Sequence, residues 1–314
     1  MLKQEVSQYF SNIMEKEPDV SASIAAISTL LKLLEHDKSE TVQELDLNLQ
    51  SAVEVITNSS YRITGVSSGC ALFMRFITFA KLDTITFAEC KKVMLDRGKV
   101  FLKKLTDARN KVAKITLPYF VDGTNILTHS KSRVVLEAMK LAVNSQKRFH
   151  VFVSESSPDK SGIEMYNCLK KLNIPCTLVL DSAVGYIMER VDMVMVGAEC
   201  VVESGGIINK IGSCTMAICA KEFKKPFYVL TESYKFSRMY PLNQRDLPYN
   251  FKYTANNLND NNLSNAHPTV DYTHPTYISL LFTDLGILMP SAMIIKPGNL
   301  LFSRYTFYAK YVVI

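Results

Sequence analysis

Apolar residues recur every three or four positions through the first third of the chain. Two such stretches, 20–34 and 42–56, predict helices that each bury one face. Thr41, with Glu44 three residues later, matches a capping box and marks the start of the second helix. A third helix is expected over 71–80, after a break at 65–69, and a long fourth one from 87 to 117. These patterns predict an all-helical domain over residues 1–118, which Pro118 ends.

After Pro118, short apolar and β-branched runs alternate with helical segments. Strands are predicted at 126–128, 149–153, 176–180, 193–196 and 226–230, with helices at 131–145, 161–172, 183–189 and 214–223. This alternation is typical of a parallel sheet with helices on both faces. The expected fold class is α/β, with an N-terminal all-helical domain followed by a Rossmann-like parallel-sheet domain over 119–292. The asparagine-rich stretch 254–276 is predicted to be a loop.

Composition and charge narrow the classes of protein. The net charge of +6 is a mild excess without a concentrated basic face, so no direct nucleic-acid partner is expected. Seven cysteines without a Cys-x-x-Cys pair indicate reduced, buried thiols in a cytosolic protein. The chain shows neither a signal-peptide pattern nor an apolar run long enough to span a membrane, so no membrane partner is expected.

A metal site and a cofactor are not expected either. His267, Asp271 and His274 carry ligand-type side chains, but both histidines precede a proline and no fourth ligand stands near them. A turn explains this stretch better.

A glycine-rich stretch, 197–213, lies between the predicted strand at 193–196 and the next predicted helix. This order is typical of anion sites in α/β sheets, and a phosphate is the ligand that suits it best. A tight turn in which the glycines serve packing fits the same pattern. The residues of interest are two glycines that permit an unusual turn, an amide, an ammonium and a predicted helix N-cap: Gly205, Gly206, Asn209, Lys210 and Ser213.

Polar residues also follow other predicted strands. His129 and Arg133 follow the first strand, Asp181 the third and Glu199 the fourth. Because the carboxyl ends of parallel strands meet at one edge of a sheet, we expect these side chains to line one pocket. His129 is either a base or a hydrogen-bonded loop histidine, and Arg133 either contacts a phosphate or covers a helix end.

Longer motifs resemble the family of the alpha regulatory subunit of eukaryotic translation initiation factor 2B. The resemblance extends to about residue 292, and residues 293–314 depart from it as an atypical, aromatic and basic C-terminal tail. The motifs that carry it are 66–69 with 72–76, 127–130, 179–189, 197–199, 205–212, 225–229 and 281–286.

That family shares its fold with methylthioribose-1-phosphate isomerase and ribose-1,5-bisphosphate isomerase. By resemblance, Ser130 stands at the isomerases' cysteine and Gly206 at their aspartate. Isomerising a sugar requires a proton donor and acceptor, which a serine without an adjacent base and a glycine do not supply. No catalytic residue is therefore expected, and the chain is expected not to be an enzyme. A sugar-phosphate aldose–ketose isomerase is the alternative.

The resemblance implies a cytosolic, non-catalytic regulatory subunit of the factor that exchanges guanine nucleotide on translation initiation factor 2. It implies that the chain forms a homodimer, assembles with the beta, gamma, delta and epsilon subunits, and senses the phosphorylated alpha subunit of initiation factor 2. It also implies that the epsilon subunit carries out the exchange itself. Thr41 and Glu44 are the predicted contacts for the phosphorylated partner, with a plain N-cap as the alternative.

The resemblance also implies a sugar-phosphate ligand in the crevice. The residues expected to bind it are His129, Arg133, Glu199, Gly205, Gly206, Asn209 and Lys210.

Overall fold

The computed structural model describes residues 3–16, 20–59, 64–78, 86–248 and 267–293. Contacts divide the chain into two compact units, 1–107 and 108–314. The predicted tail, 293–314, lies outside the described residues except for its first position.

The first unit is built from helices: α1 (Lys3–Lys16), α2 (Ala22–His36), α3 (Val42–Thr57), α4 (Thr64–Thr78) and α5 (Phe87–Thr116), of which the part up to Asp107 belongs here. The apolar stripes read from the sequence are the buried ones, with Leu30 and Leu34 of α2 and Leu45 and Leu49 of α3 fully enclosed. The all-helical prediction for this region is confirmed.

The predicted break at 65–69 is wrong, because these residues lie inside α4. Gly69 explains why a glycine stands there. A Cβ at this position would lie 3.1 Å from the Cβ of Ser23, so the missing side chain lets α4 approach α2 closely.

The second unit contains a parallel sheet with helices on both faces. Its helices are the end of α5, α6 (Arg133–Asn144), α7 (Ser161–Lys171), α8 (Val184–Ile187) and α9 (Ser213–Glu222). Its described strands are β1 (Thr124–His129), β2 (Phe149–Ser154), β3 (Cys176–Val179), β4 (Met193–Val196), β5 (Cys200–Val201), β6 (Ile207–Lys210), β7 (Phe227–Leu230), β8 (Val270–Thr273), β9 (Leu280–Thr283) and β10 (Gly286–Leu288).

Seven of these strands form one sheet in the order β10-β9-β7-β4-β1-β2-β3, parallel except for the β9–β10 hairpin. Separate apolar clusters cover its two faces. One includes side chains from α5, α6 and α7, and the other side chains from α8 and α9. All five predicted strands are present, and the α/β fold class is confirmed.

A second sheet of three antiparallel strands, β5-β6-β8, was not predicted. Its strand β8 lies within the stretch 254–276, so the loop prediction is wrong there; residues 254–266 lie outside the described part. The cause is physical. Strand β8 pairs with β6 some sixty residues earlier, and a local polar pattern carries no sign of such a partner.

Two features bear on the class of protein. No described helix is long and apolar enough to cross a membrane. All seven cysteines are free thiols, although only Cys70, Cys90 and Cys200 are buried.

Candidate ligand crevice

The strand order creates a crevice at the carboxyl ends of β1 and β4. From β1 the chain moves outward to β2 and β3, then returns to place β4 on the other side of β1. This reversal is the switch point at which open α/β sheets bind ligands. Most of the polar residues predicted from the sequence lie around it.

His129 ends β1 and is buried, with 2% of its surface exposed. Its Nε2 lies 2.7 Å from the carbonyl oxygen of Ile211, so Nε2 carries the proton and donates. Its Nδ1 then accepts from the Ser154 hydroxyl at 2.6 Å. Burial lowers the pKa of His129, against the opposing effects of the Ile211 carbonyl and of Asp181, and keeps the ring neutral. Both ring nitrogens are thus engaged within the protein.

Asp181 follows β3 and anchors the segment between β2 and α7, residues 155–160, which we call the β2–α7 loop. Its two carboxylate oxygens accept the backbone amides of Ser156 at 3.0 Å and Ser157 at 2.6 Å. The same carboxylate comes within 3.9 Å of His129 Nδ1. Asp181 thus lies beside His129 at the crevice, as expected from its position after β3, and its carboxylate holds the β2–α7 loop.

A chain of hydrogen bonds links Ser130 to Lys210. The Ser130 hydroxyl lies 2.6 Å from that of Ser161, and Ser161 donates to Asp159 at 2.8 Å. Asp159 in turn lies 2.7 Å from the ammonium of Lys210. Ser130 has a φ of 60°, a left-handed conformation that is uncommon for a residue with a Cβ and occurs often at functional sites.

Lys210 ends β6 with about a third of its side chain exposed. Burial would lower its pKa, but the carboxylates of Asp159 and Glu199 outweigh burial and raise it. Glu199 itself is half-buried, between the end of β4 and the first residue of β5. The structure thus brings together two of the predicted ligand residues, Lys210 and Glu199, and adds Asp159, which the sequence did not single out.

The start of α9 differs from the prediction. Ser213 was the expected N-cap, but the cap position is Gly212, and the Ser213 hydroxyl instead donates to the Lys210 carbonyl and accepts from the Asn209 amide. The free amides of Gly212 and Cys214 donate to one oxygen of Asp271, at 2.8 and 3.0 Å. The hydrogen-bond acceptor at this helix start is therefore the carboxyl group of Asp271, a residue of the protein itself.

Gly205 and Gly206 lie in the tight turn between β5 and β6, at the opposite end of β6 from Lys210. Gly205 has a φ of 83°, and a Cβ there would stand 2.3 Å from the Pro290 carbonyl oxygen. A Cβ at Gly206 would lie 2.6 Å from the ring of Tyr272. Close packing accounts for both glycines, which was the alternative interpretation of this stretch.

Two more predicted residues have defined positions. Asn209 is buried, and its amide is used for Ser213. Arg133 is the first residue of α6, behind the N-cap Ser132.

A buried ion cluster beside the crevice was missed by the sequence reasoning. Glu232 and Lys235 follow β7 and pair at 2.9 Å, with Arg109 at 3.8 Å from the same carboxylate. Burial would raise the pKa of Glu232, but Lys235 and Arg109 outweigh it and lower it. Lys235 also donates to the carbonyl of Ala198 at 2.9 Å, which fixes the residue before Glu199. The sequence did carry a sign of this cluster, because two charged residues, Glu232 and Lys235, follow the strand predicted at 226–230.

In the first unit, Thr41 is the N-cap of α3 as predicted, but the reciprocal bond of a capping box is shifted by one residue, to the amide of Glu40. The Thr41 hydroxyl accepts the amide of Glu44 at 3.2 Å, and the Glu44 carboxylate accepts the amide of Glu40 at 3.2 Å. Both Thr41 and Glu44 are exposed. Among the described residues, no group of histidine, cysteine and acidic side chains is arranged to hold a metal ion.

Comparison with known proteins identifies the relatives of this chain. The translation initiation factor eIF2B subunit alpha of Caenorhabditis elegans is 41% identical over 93% of this chain and 97% of its own length. The corresponding subunit of Dictyostelium discoideum is 40% identical over 90% and 92%. A ribose 1,5-bisphosphate isomerase of Archaeoglobus fulgidus is 28% identical over 91% and 90%.

A solved structure of similar fold is the translation initiation factor eIF-2B of Pyrococcus horikoshii OT3, with a TM-score of 0.74 and 25% identity over 93% of this chain and 98% of that one. Residues 15–290 match the initiation factor 2 subunit family. The resemblance read from the sequence motifs is confirmed, and the chain belongs to the initiation factor 2 subunit family.

Proposed function

We propose that this chain is a non-catalytic, alpha-type regulatory subunit of the factor that exchanges guanine nucleotide on translation initiation factor 2, in the cytosol. Its identity of about 40% with two subunits of that name, over nearly their whole lengths, supports this function. The chemistry of the crevice is the observation that separates it from the isomerases in the same family.

At the two positions where the isomerases carry their reactive residues, this chain offers no pair for proton transfer. Ser130 reaches a carboxylate only through Ser161, and that carboxylate belongs to Asp159. Burial would raise the pKa of Asp159, but Lys210 and Ser161 outweigh it and lower it, so it is a weak base. A side chain at Gly206 would collide with Tyr272.

The isomerase alternative is supported by the 28% identity to a ribose 1,5-bisphosphate isomerase and by the shared position of the crevice. Incubating the chain with ribose 1,5-bisphosphate or with methylthioribose 1-phosphate and following the product by NMR tests it. We expect no turnover above the rate without protein. Measurable turnover that is lost in Ser130→Ala would instead favour an isomerase.

We further propose that the crevice binds a sugar phosphate without converting it. In this site Lys210 supplies the positive charge, and Asn209, Arg133 and Glu199 lie nearby in the chain segments around the crevice. His129 holds the backbone of Ile211, the residue after Lys210, through its hydrogen bond to the Ile211 carbonyl. Gly205 and Gly206, which were also predicted to bind the ligand, form the turn at the other end of β6 from Lys210. A thermal shift with ribose 5-phosphate that is lost in Lys210→Met supports this site, and an equal shift in the variant contradicts it.

Homodimerisation and assembly with the beta, gamma, delta and epsilon subunits are proposed on the same family ground. One chain of a solved tetramer of beta and delta subunits from C. thermophilum, 18% identical to this one, has the same fold, with a TM-score of 0.74. Sedimentation of the purified chain tests the dimer, and co-purification with the four other subunits tests the assembly.

Thr41 and Glu44 are proposed to contact the phosphorylated alpha subunit of initiation factor 2, because they form an exposed first helical turn. Glu44→Gln keeps an oxygen for the Glu40 amide while removing the charge. Glu54→Gln makes the same change at an exposed site further along α3. We expect only Glu44→Gln to weaken recovery of the phosphorylated partner by the assembled factor. Equal recovery by both variants contradicts this contact.

A further inference from the structure

Lys210, the cation of the proposed ligand site, is already paired within the protein. Its ammonium lies 2.7 Å from the carboxylate of Asp159, which belongs to the β2–α7 loop. A charge-assisted hydrogen bond of this length is what Lys210 would otherwise offer to a phosphate. The site therefore holds an anion of its own.

The β2–α7 loop holds this carboxylate in position. Asp159 accepts both the amide and the hydroxyl of Ser161, at 3.0 and 2.8 Å. Lys160, between them, has a left-handed φ of 54°. The opposite end of the loop is tied separately to Asp181, through the amides of Ser156 and Ser157. The amide of Lys160 also donates to the carbonyl of Ser156 at 2.7 Å, so the backbone of the loop is held at both ends and the Asp159 side chain is the part that can turn away from Lys210.

While Asp159 is paired with Lys210, the charges around Lys210 disfavour the binding of a phosphate. Asp159 and Glu199 both act on the Lys210 ammonium, and Asp181 approaches the neighbouring His129. A phosphate brought to Lys210 with Asp159 still in place would meet like charge at close range. Moving Asp159 away removes one negative charge and frees one ammonium at the same time.

We propose that Asp159 is a built-in competitor for the anion site, whose carboxylate a phosphate monoester must displace from the ammonium of Lys210. This inference rests on the sugar-phosphate site proposed above. Asp159 then sets the affinity and the selectivity of the crevice: weakly charged anions fail to displace it, whereas a phosphate dianion succeeds.

Calorimetric titration of the full chain with ribose 5-phosphate and with inorganic phosphate tests this proposal. Asp159→Asn removes the competing charge, and Asp159→Ser removes it while keeping a hydroxyl near Ser161. The matched control is Glu164→Gln, which removes a negative charge from α7 at an ion pair with Lys131, 3.0 Å long. We expect about fivefold tighter binding of both probes by the two Asp159 variants and a change within about twofold in the control.

The gain should vanish when Lys210→Met is added to Asp159→Asn, because the freed ammonium is its source. If neither Asp159 variant binds the probes more tightly than wild type does, the inference is overturned and the ligand site stands. A gain that survives the loss of Lys210 also overturns it. If no variant binds either probe, the inference and the proposed ligand site both fail.

Discussion

The buried carboxylate of Asp271 predicts an unusual dependence of stability on pH. One of its oxygens accepts the amides of Gly212 and Cys214, and the other has no hydrogen-bond partner in the described structure. Burial raises its pKa from 3.8 to about 7, against the opposing effect of the two amides. Asparagine at this position keeps the accepting oxygen and has no charge to bury.

The direction follows from proton linkage. Between pH 4 and 7, folded Asp271 retains a proton that the unfolded chain releases, so the stability it contributes is complete below the unfolded pKa of 3.8 and is lost as the pH rises through about 7. A gap of about three pH units, at about 1.36 kcal/mol each, amounts to about 4 kcal/mol. The amide of Asp271→Asn does not titrate, so its own contribution is the same at every pH.

Urea unfolding of wild type and Asp271→Asn, followed by circular dichroism because the chain has no tryptophan, measures this difference at several pH values. We expect the unfolding free energy of the variant to gain about 3 to 4 kcal/mol on wild type between pH 4 and pH 8. Asp192→Asn is the control, since Asp192 is exposed and also accepts a backbone amide. Parallel pH curves for wild type and Asp271→Asn would refute the reasoning.

Three further changes test other parts of the structure. Lys235→Ala leaves the buried Glu232 carboxylate without its closest cation, so it is expected to lower the free energy of unfolding in urea by about 3 to 5 kcal/mol. Replacing the whole pair, by Glu232→Gln with Lys235→Met, should recover much of this loss. Equal losses for the single and the double variant would contradict the pairing. Thr41→Ala removes the α3 cap and is expected to cost about 1 kcal/mol, with Thr41→Ser close to wild type as its control. Gly206→Asp introduces the isomerases' residue and is expected to lower the melting temperature and to produce no isomerase activity. Turnover in this variant would contradict the inference that Tyr272 leaves no room for an aspartate at this position.

The elements that the sequence predicted are those with strong local patterns. The apolar stripes of α2 and α3 and the apolar runs of β1 and β4 show their periodicity directly in the sequence. The N-cap bond of Thr41 joins residues only three positions apart. Strand-end positions then predicted which side chains would meet, because parallel strands share an edge. That argument brought His129, Asp181 and Glu199 to one crevice.

The missed features depend on partners that are distant in the chain. Asp271 caps α9 from more than fifty residues away, and Asp159 meets Lys210 across a similar separation. Strand β5 has only two residues, which is too short for an alternating pattern to show in the sequence. The sequence also could not show that both ring nitrogens of His129 form hydrogen bonds, with Ser154 and Ile211, because the role of an imidazole depends on its neighbours in the fold.

We propose above that this chain regulates nucleotide exchange and catalyses no reaction itself. The most direct test is the exchange rate on initiation factor 2, measured with the factor assembled with and without this chain, using unphosphorylated and phosphorylated substrate. We expect phosphorylation to inhibit exchange strongly only when the chain is present. Equal inhibition with and without the chain would contradict a regulatory role.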